Sequence, residues 1–181
     1  MDVGTLLRLR DAFQPLFITG PGNDAFLASI GIDSSKVFAL DWWDTQSVGP
    51  VVVHAVPNQH FSGRGIFDRD GTLWTAFVLE GKTAGRAYFA GDTGYGGFFK
   101  TVAEKLGPLR LAILPIGAYK PAWFMEPVHM SPAQAVQAQL DLGAPSAVAI
   151  HYGTFQLADD AYGDPPKALL TALDGNSSAA A

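Results

Sequence analysis

Hydrophobic positions change period along this chain, and the change marks out its elements. Leu6, Leu7, Leu9 and Phe13 follow helical spacing, which predicts a short amphipathic helix over 3–12, closed by Pro15. A brief strand at 16–19 and a Gly20-Pro21-Gly22 turn follow, and then a helix over 23–30 with Asn23 as N-cap and Gly31 at its end. Strand character returns at 37–40, and this β-α-β rhythm predicts parallel neighbours. From Gly49 the period shortens to two, giving strands at 49–56, 72–80 and 86–90. The short 81–85 turn makes the last two antiparallel, so the sheet is mixed.

The second half alternates helix and strand. Helix is expected over 95–106, a buried strand over 110–114 and a long irregular loop over 115–128. Ser131 caps the next helix, which starts with Pro132 and runs to about 142. The last strand covers 146–150, and Pro165-Pro166 opens a helix to 173. Residues 1–173 therefore read as one α/β domain with a mixed sheet and flanking helices, and 174–181 as a disordered tail.

Composition narrows the function classes. Twelve Lys and Arg against seventeen Asp and Glu give a net charge of -5 with no basic cluster, which argues against a nucleic-acid partner. Cysteine is absent, so neither disulfides nor thiolate metal ligands operate within these residues. No stretch reaches the length of a transmembrane helix, and the first residues lack a signal-peptide pattern, so the expected location is cytoplasmic.

Candidate chemistry gathers at strand ends. Asp92 follows the 86–90 strand, His60 the 49–56 strand and His151 the 146–150 strand, while His129 lies where the long loop meets the Ser131 cap. His54 alternates with valines inside a strand and reads as a structural sheet residue. Imidazoles and a carboxylate together suit Zn²⁺, Mn²⁺ or Fe²⁺. Such a cation lowers the pKa of bound water towards about 7 and polarises a carbonyl or phosphoryl oxygen, which points to metal-assisted hydrolysis. Arg64 is placed to meet an anionic substrate group, although such an arginine is more often a loop anchor. Asp41-Trp42-Trp43-Asp44 reads as a strand end burying two indoles. The glycines after Asp92 match neither a dinucleotide fingerprint nor a P-loop, and Ser62 sits in no nucleophile elbow.

Four segments taken in order carry a family likeness. They are Pro57-Asn-Gln-His60-Phe-Ser-Gly-Arg64, Phe89-Ala-Gly-Asp92-Thr-Gly-Tyr95, Pro115-Ile-Gly-Ala-Tyr119-Lys-Pro-Ala-Trp123-Phe-Met125 and Ile150-His151-Tyr-Gly-Thr-Phe155. With Asp41 to Asp44 and His129, they resemble the metallo-β-lactamase-fold hydrolases, in the branch of N-acyl-phosphatidylethanolamine-hydrolysing phospholipase D. The resemblance implies the C-terminal part of an αββα sandwich. It implies His60 on one zinc, Asp92 bridging two and His151 on the second, with Asp92 and His129 as catalytic residues. Arg64, Tyr119, Trp123, Met125 and His129 would border the cleft for a small or lipid-like ester or phosphodiester.

The family's His-x-His-x-Asp-His motif stands before a segment like 2–8, and no His-x-His occurs in these 181 residues. Half of the family's metal site and the amino-terminal sheet are thus expected to be missing. Only two ligands per zinc would remain, His60 with Asp92 or Asp92 with His151, against the usual three. An orphaned sheet face implies a homo-oligomer. A weakly active hydrolase and a catalytically silent folding or interaction unit are the two functional readings. The expectation for metal content is one weakly held zinc or none after dialysis, and atomic absorption showing two tightly held zincs per chain contradicts it.

Overall fold

The computed structural model describes residues 2–65 and 67–176. In chain order the elements are α1 (Val3–Phe13), β1 (Phe17–Thr19), α2 (Asn23–Ser29), β2 (Val37–Ala39), β3 (Thr45–Val48), β4 (Val51–Val56), β5 (Ala76–Gly81), β6 (Gly85–Phe89), α3 (Phe98–Leu106), β7 (Leu111–Pro115), α4 (Ala122–Met125), α5 (Pro132–Asp141), β8 (Ala147–Ile150) and α6 (Asp164–Asp174). A single 3₁₀ turn, Ser34–Lys36, precedes β2. Among the described residues no helix is long and apolar enough to cross a membrane.

Strands β1 and β2 pair in parallel as a small sheet, as the β-α-β rhythm predicts. The main sheet has the order β3-β4-β5-β6-β7-β8, antiparallel up to β6 and parallel beyond it. Strand register separates its two faces. Val78, Tyr88 and Ala112 are paired across three strands and fully buried. Phe99 and Val102 of α3, with Ala135 and Ala138 of α5, pack against them as the core. The alternate residues Phe77, Phe89, Ile113 and Val148 are paired on the opposite face, where Phe89 and Val148 are 42% and 49% exposed. One face of the sheet is therefore covered by helices, and the other presents apolar side chains to solvent.

Local chemistry explains the helix starts. Ser131 Oγ accepts from Gln134 N and Gln134 Oε1 accepts from Ser131 N, a capping box that satisfies two amides otherwise left unpaired. Asp2 caps α1 by accepting from Thr5 N, yet α1 buries no residue, and Arg10 Nη1 ties it to the Gly31 carbonyl.

Several expectations need correction. The strand expected from 72 begins only at Ala76, because 72–75 is loop, and the helix expected from 95 begins at Phe98. Strand β3 was not signalled by its residues, Thr-Gln-Ser-Val, since the pattern is polar; it forms by pairing with β4 across Gly49, whose φ is 57°. The Trp42–Trp43 segment is no strand end but a turn, with Trp43 at φ 79° and Trp42 Nε1 donating to Trp74 O. The 115–128 loop contains the single-turn helix α4. Asp174, assigned to the tail, ends α6, while residues 177–181 lie outside the described residues. His54 is the structural residue expected, with Nε2 2.8 Å from Glu80 Oε2 on the next strand.

The two faces predict unequal sensitivity. Phe99→Ala should lower unfolding free energy by about 3–5 kcal/mol, the usual cost of a large buried cavity. Phe89→Ala on the open face should cost clearly less, and urea denaturation of both variants checks the ranking.

Candidate metal centre

Sheet topology brings the titratable residues together. Strands β4 and β6 both run antiparallel to β5, and β7 and β8 run parallel to β6. The C-terminal ends of β4, β6, β7 and β8 therefore lie along one edge of the sheet. The segment after each delivers a side chain there: His60 after β4, Asp92 after β6, His129 after β7 and α4, and His151 directly after β8. His151 sits at φ 61°, and its carbonyl packs so closely on Gly117 that a Cβ at 117 would overlap it.

Asp92 is the centre of the group. His129 Nδ1 is 2.8 Å from Asp92 Oδ1, while His151 Nε2 and His60 Nε2 are 3.2 Å and 3.3 Å from Oδ2. One ligand atom each from His60, Asp92 and His129 lies within 4.8 Å of the others. Three candidate donors rather than two thus lie within reach of one cation, and His151 is not among them. His129 joins the donors because the chain after α4 folds back: its amide donates to Met125 O, and Gln59 Nε2 donates to Pro127 O. The sequence offered only a lone His ahead of a helix cap, which does not reveal that return. Asn58 was also missed: it is 6% exposed, and its Nδ2 donates to the Ala90 and Asp92 carbonyls, steadying the turn that carries the carboxylate.

The donor set fits a divalent cation. His60 Nε2, Asp92 Oδ1 and His129 Nδ1 are all buried and have no hydrogen-bond partner of proper geometry. Such atoms are costly to leave unpaired, and a shared cation resolves that cost. His60 Nδ1 faces the Phe61 carbonyl at 2.8 Å. That contact fixes the proton on Nδ1 and leaves the Nε2 lone pair facing Asp92. Two imidazoles and a carboxylate match the N and O ligands of Zn²⁺.

Charge shifts follow from the same geometry. Burial pushes the Asp92 carboxyl upward, but the close imidazoles of His129, His151 and His60 outweigh it and hold the group far below the carboxylate range. Burial opposes the charged form of His60, yet Asp92 and the Phe61 carbonyl leave its pKa raised. Asp92 is the main cause of the upward shift of His151, against burial. Protons and a cation thus compete for one set of lone pairs.

The expected substrate-contacting residues divide. Arg64 lines a cavity of about 490 Å³ together with His60, Asp92, Asn58 and Trp74. Its Nη2 donates to Asn23 Oδ1, and its guanidinium lies 3.7 Å from the Phe26 ring centroid, so it also anchors the loop. Tyr119, Trp123 and Met125 are not among the residues lining that cavity. Tyr119 is half-buried with the Lys120 ammonium 5.6 Å from its ring, and Trp123 is 82% exposed. Met125 supports His129 through its carbonyl.

A pH dependence follows. Because the folded pKa values of His60 and His151 are raised, their ion pairs contribute fully below the unfolded value of about 6.5. That contribution is lost as pH rises through the folded values, whereas the Asp92 charge persists throughout this window. The melting temperature of metal-free protein should therefore fall as pH is raised above about 6.5. With excess Zn²⁺ the trend should reverse, since binding requires neutral imidazoles. Thermal melts across this range, repeated on His60→Asn/His151→Asn, check both signs; the variant should respond less.

Comparison with known proteins places the chain in a family. Residues 3–152 match the family model described as the beta-lactamase superfamily domain. An uncharacterized Mycobacterium tuberculosis protein is 38% identical over 177 residues, covering 96% of this chain and 46% of the relative. The mitochondrial N-acyl-phosphatidylethanolamine-hydrolyzing phospholipase D of Saccharomyces cerevisiae is 34% identical over 162 residues, covering 86% and 34%. A Caenorhabditis elegans protein of the same name is 36% identical over 150 residues, covering 80% and 42%. The chain thus spans less than half the length of these relatives. Among solved structures, the metallo hydrolase Igni18 of Ignicoccus hospitalis superposes with a TM-score of 0.71 at 20% identity, covering 94% of this chain and 67% of that one, a likeness of fold. The matched residues take in His60, Asp92, His129 and His151, and the chain belongs to the beta-lactamase superfamily domain family.

Proposed function

We propose that this chain carries a metal-dependent hydrolytic centre acting on an ester or phosphodiester, with zinc as the cation. The observation that carries the reading is the Asp92 carboxylate set among three imidazoles at 2.8–3.3 Å beside an open cavity. His60, Asp92 and His129 would hold the cation. His151 faces the same Asp92 oxygen as His60, Oδ2, and would be the residue available to a second cation. When bound, the cation supplies Lewis-acid polarisation of the scissile carbonyl or phosphoryl oxygen. Asp92 holds the imidazoles in place and orients their lone pairs, while His60 keeps its proton on Nδ1. An imidazole of the cluster not engaged by the cation is placed to act as general acid or base.

The names of the yeast and nematode relatives favour a phosphodiester with lipid-like groups. Arg64 at the cavity wall is the group to meet an anionic phosphate, and Trp74 and Phe77 supply apolar wall. Met125, whose carbonyl accepts from the His129 amide, would with Tyr119 and Trp123 of the same loop meet the remainder of a substrate. The alternative, a catalytically silent interaction unit, draws support from the open sheet face, with Leu79, Phe89 and Val148 42–49% exposed. Exposed apolar area of this kind promotes association, so a homo-oligomer is expected on either reading, and sedimentation of a dilute sample as a monomer counts against it.

The hydrolytic reading is checked by cleavage of a chromogenic ester and a chromogenic phosphodiester, with and without added Zn²⁺ and chelator. Turnover should require Zn²⁺ and be lost in His60→Ala and Asp92→Ala. Turnover indifferent to chelator and to both substitutions places the activity elsewhere, and no turnover by Zn²⁺-loaded parent protein favours the silent unit.

A further inference from the structure

We infer that the Thr93 hydroxyl is the positioning group that sets His60 against Asp92, an inference that rests on the metal-centre reading. His60, Asp92 and His129 come from three separate connections. Each is nevertheless the chain neighbour of a residue in one hydrogen-bonded knot, formed by Gln59, Thr93 and Met130. Thr93 is fully buried. Its Oγ1 accepts from Gln59 N at 2.9 Å and donates to Gly94 O at 2.9 Å, with Gln59 O a further acceptor at 3.3 Å. Gly94 N donates to Gln59 O at 2.8 Å, and Met130 N donates to Thr93 O at 3.0 Å.

The bonds divide by what a substitution can remove. Met130 N to Thr93 O is wholly main chain, so the spacing of His129 from Asp92 survives any side chain at 93. The link from the Thr93 turn to the Gln59 main chain has one main-chain bond, from Gly94 N to Gln59 O, and otherwise depends on the hydroxyl, while the Asn58 side chain holds the preceding residue to the Ala90 and Asp92 carbonyls. Without that hydroxyl the Gln59 N–H loses its acceptor, and the chain beyond Asn58 is left with the Gly94 bond and the Gln59 side chain on Pro127, about which it can turn. His60 is the next residue, so its imidazole moves relative to Asp92 while His129 stays. Thr93 is absent from the lining of the 490 Å³ cavity and bonds to none of the imidazoles. It acts on the centre through Gln59 alone.

Thr93→Val keeps the shape and removes the hydroxyl; Thr93→Ser keeps the hydroxyl and removes the methyl. Zinc affinity, measured by competition with a chromophoric chelator, should fall about 10–100-fold in the valine variant, as for other residues that orient metal ligands. The serine variant should recover most of that loss, although both variants lose melting temperature. A metal-free readout accompanies it: the His60 and His129 rings stand edge to face with centroids 5.3 Å apart. Their proton–proton NOE should persist in the parent and the serine variant and vanish in the valine variant. Thr93→Ala provides the same hydroxyl loss if valine overpacks the site. Parent-like affinity and NOE in the hydroxyl-less variants, or equal loss in serine and valine, overturns the inference. A parent that binds no zinc, but whose ring contact tracks the hydroxyl, refutes the metal reading and leaves the positioning role standing.

Discussion

The edge of the main sheet is governed by one half-buried carboxylate that faces three imidazoles. Asp92, His60, His129 and His151 occupy a volume in which no set of ordinary hydrogen bonds satisfies all their lone pairs. Electrostatics allows two solutions. Protons can load His60 and His151, whose values Asp92 raises while its own is depressed. A cation can replace those protons at the same atoms. Both demand the same convergence, so the fold must supply it before any ligand arrives.

Strand direction supplies that convergence. Four strands ending at one edge turn residues separated by up to ninety-one positions, from His60 to His151, into neighbours. Close packing then fixes their aim. Gly117 admits the His151 carbonyl, Asn58 holds the Asp92 turn, and Gln59 draws the 126–129 segment inward through Pro127. None of these three residues provides a donor to the cluster, and each confines one that does.

Much of this was legible in the sequence. Alternating valines, the Ser131-Pro132 start and the glycine punctuation fixed the central strands and α5 to within a few residues, because those signals are local. The mixed sheet followed from the short turn before β6. Strand β3 was not legible, since its polar residues become a strand only by pairing with β4. His60, Asp92 and His151 stood out through their place at strand ends, whereas His129 as a donor did not. Its position depends on a reversal of the chain held by main-chain bonds to Met125 and Thr93, and those leave no side-chain pattern. Arg64 could be read either way from sequence, and it occupies both roles at once, stacked on Phe26 while facing the cavity.

The backbone of His151 has a consequence of its own. A left-handed conformation at a residue with a Cβ costs about 1–2 kcal/mol, a cost glycine escapes. Exchange to glycine at 151 would relax the main chain and at the same time erase an imidazole beside Asp92. Resistance to unfolding and capacity for chemistry therefore pull in opposite directions at that residue, and a screen that selected only for thermal robustness would tend to discard the imidazole.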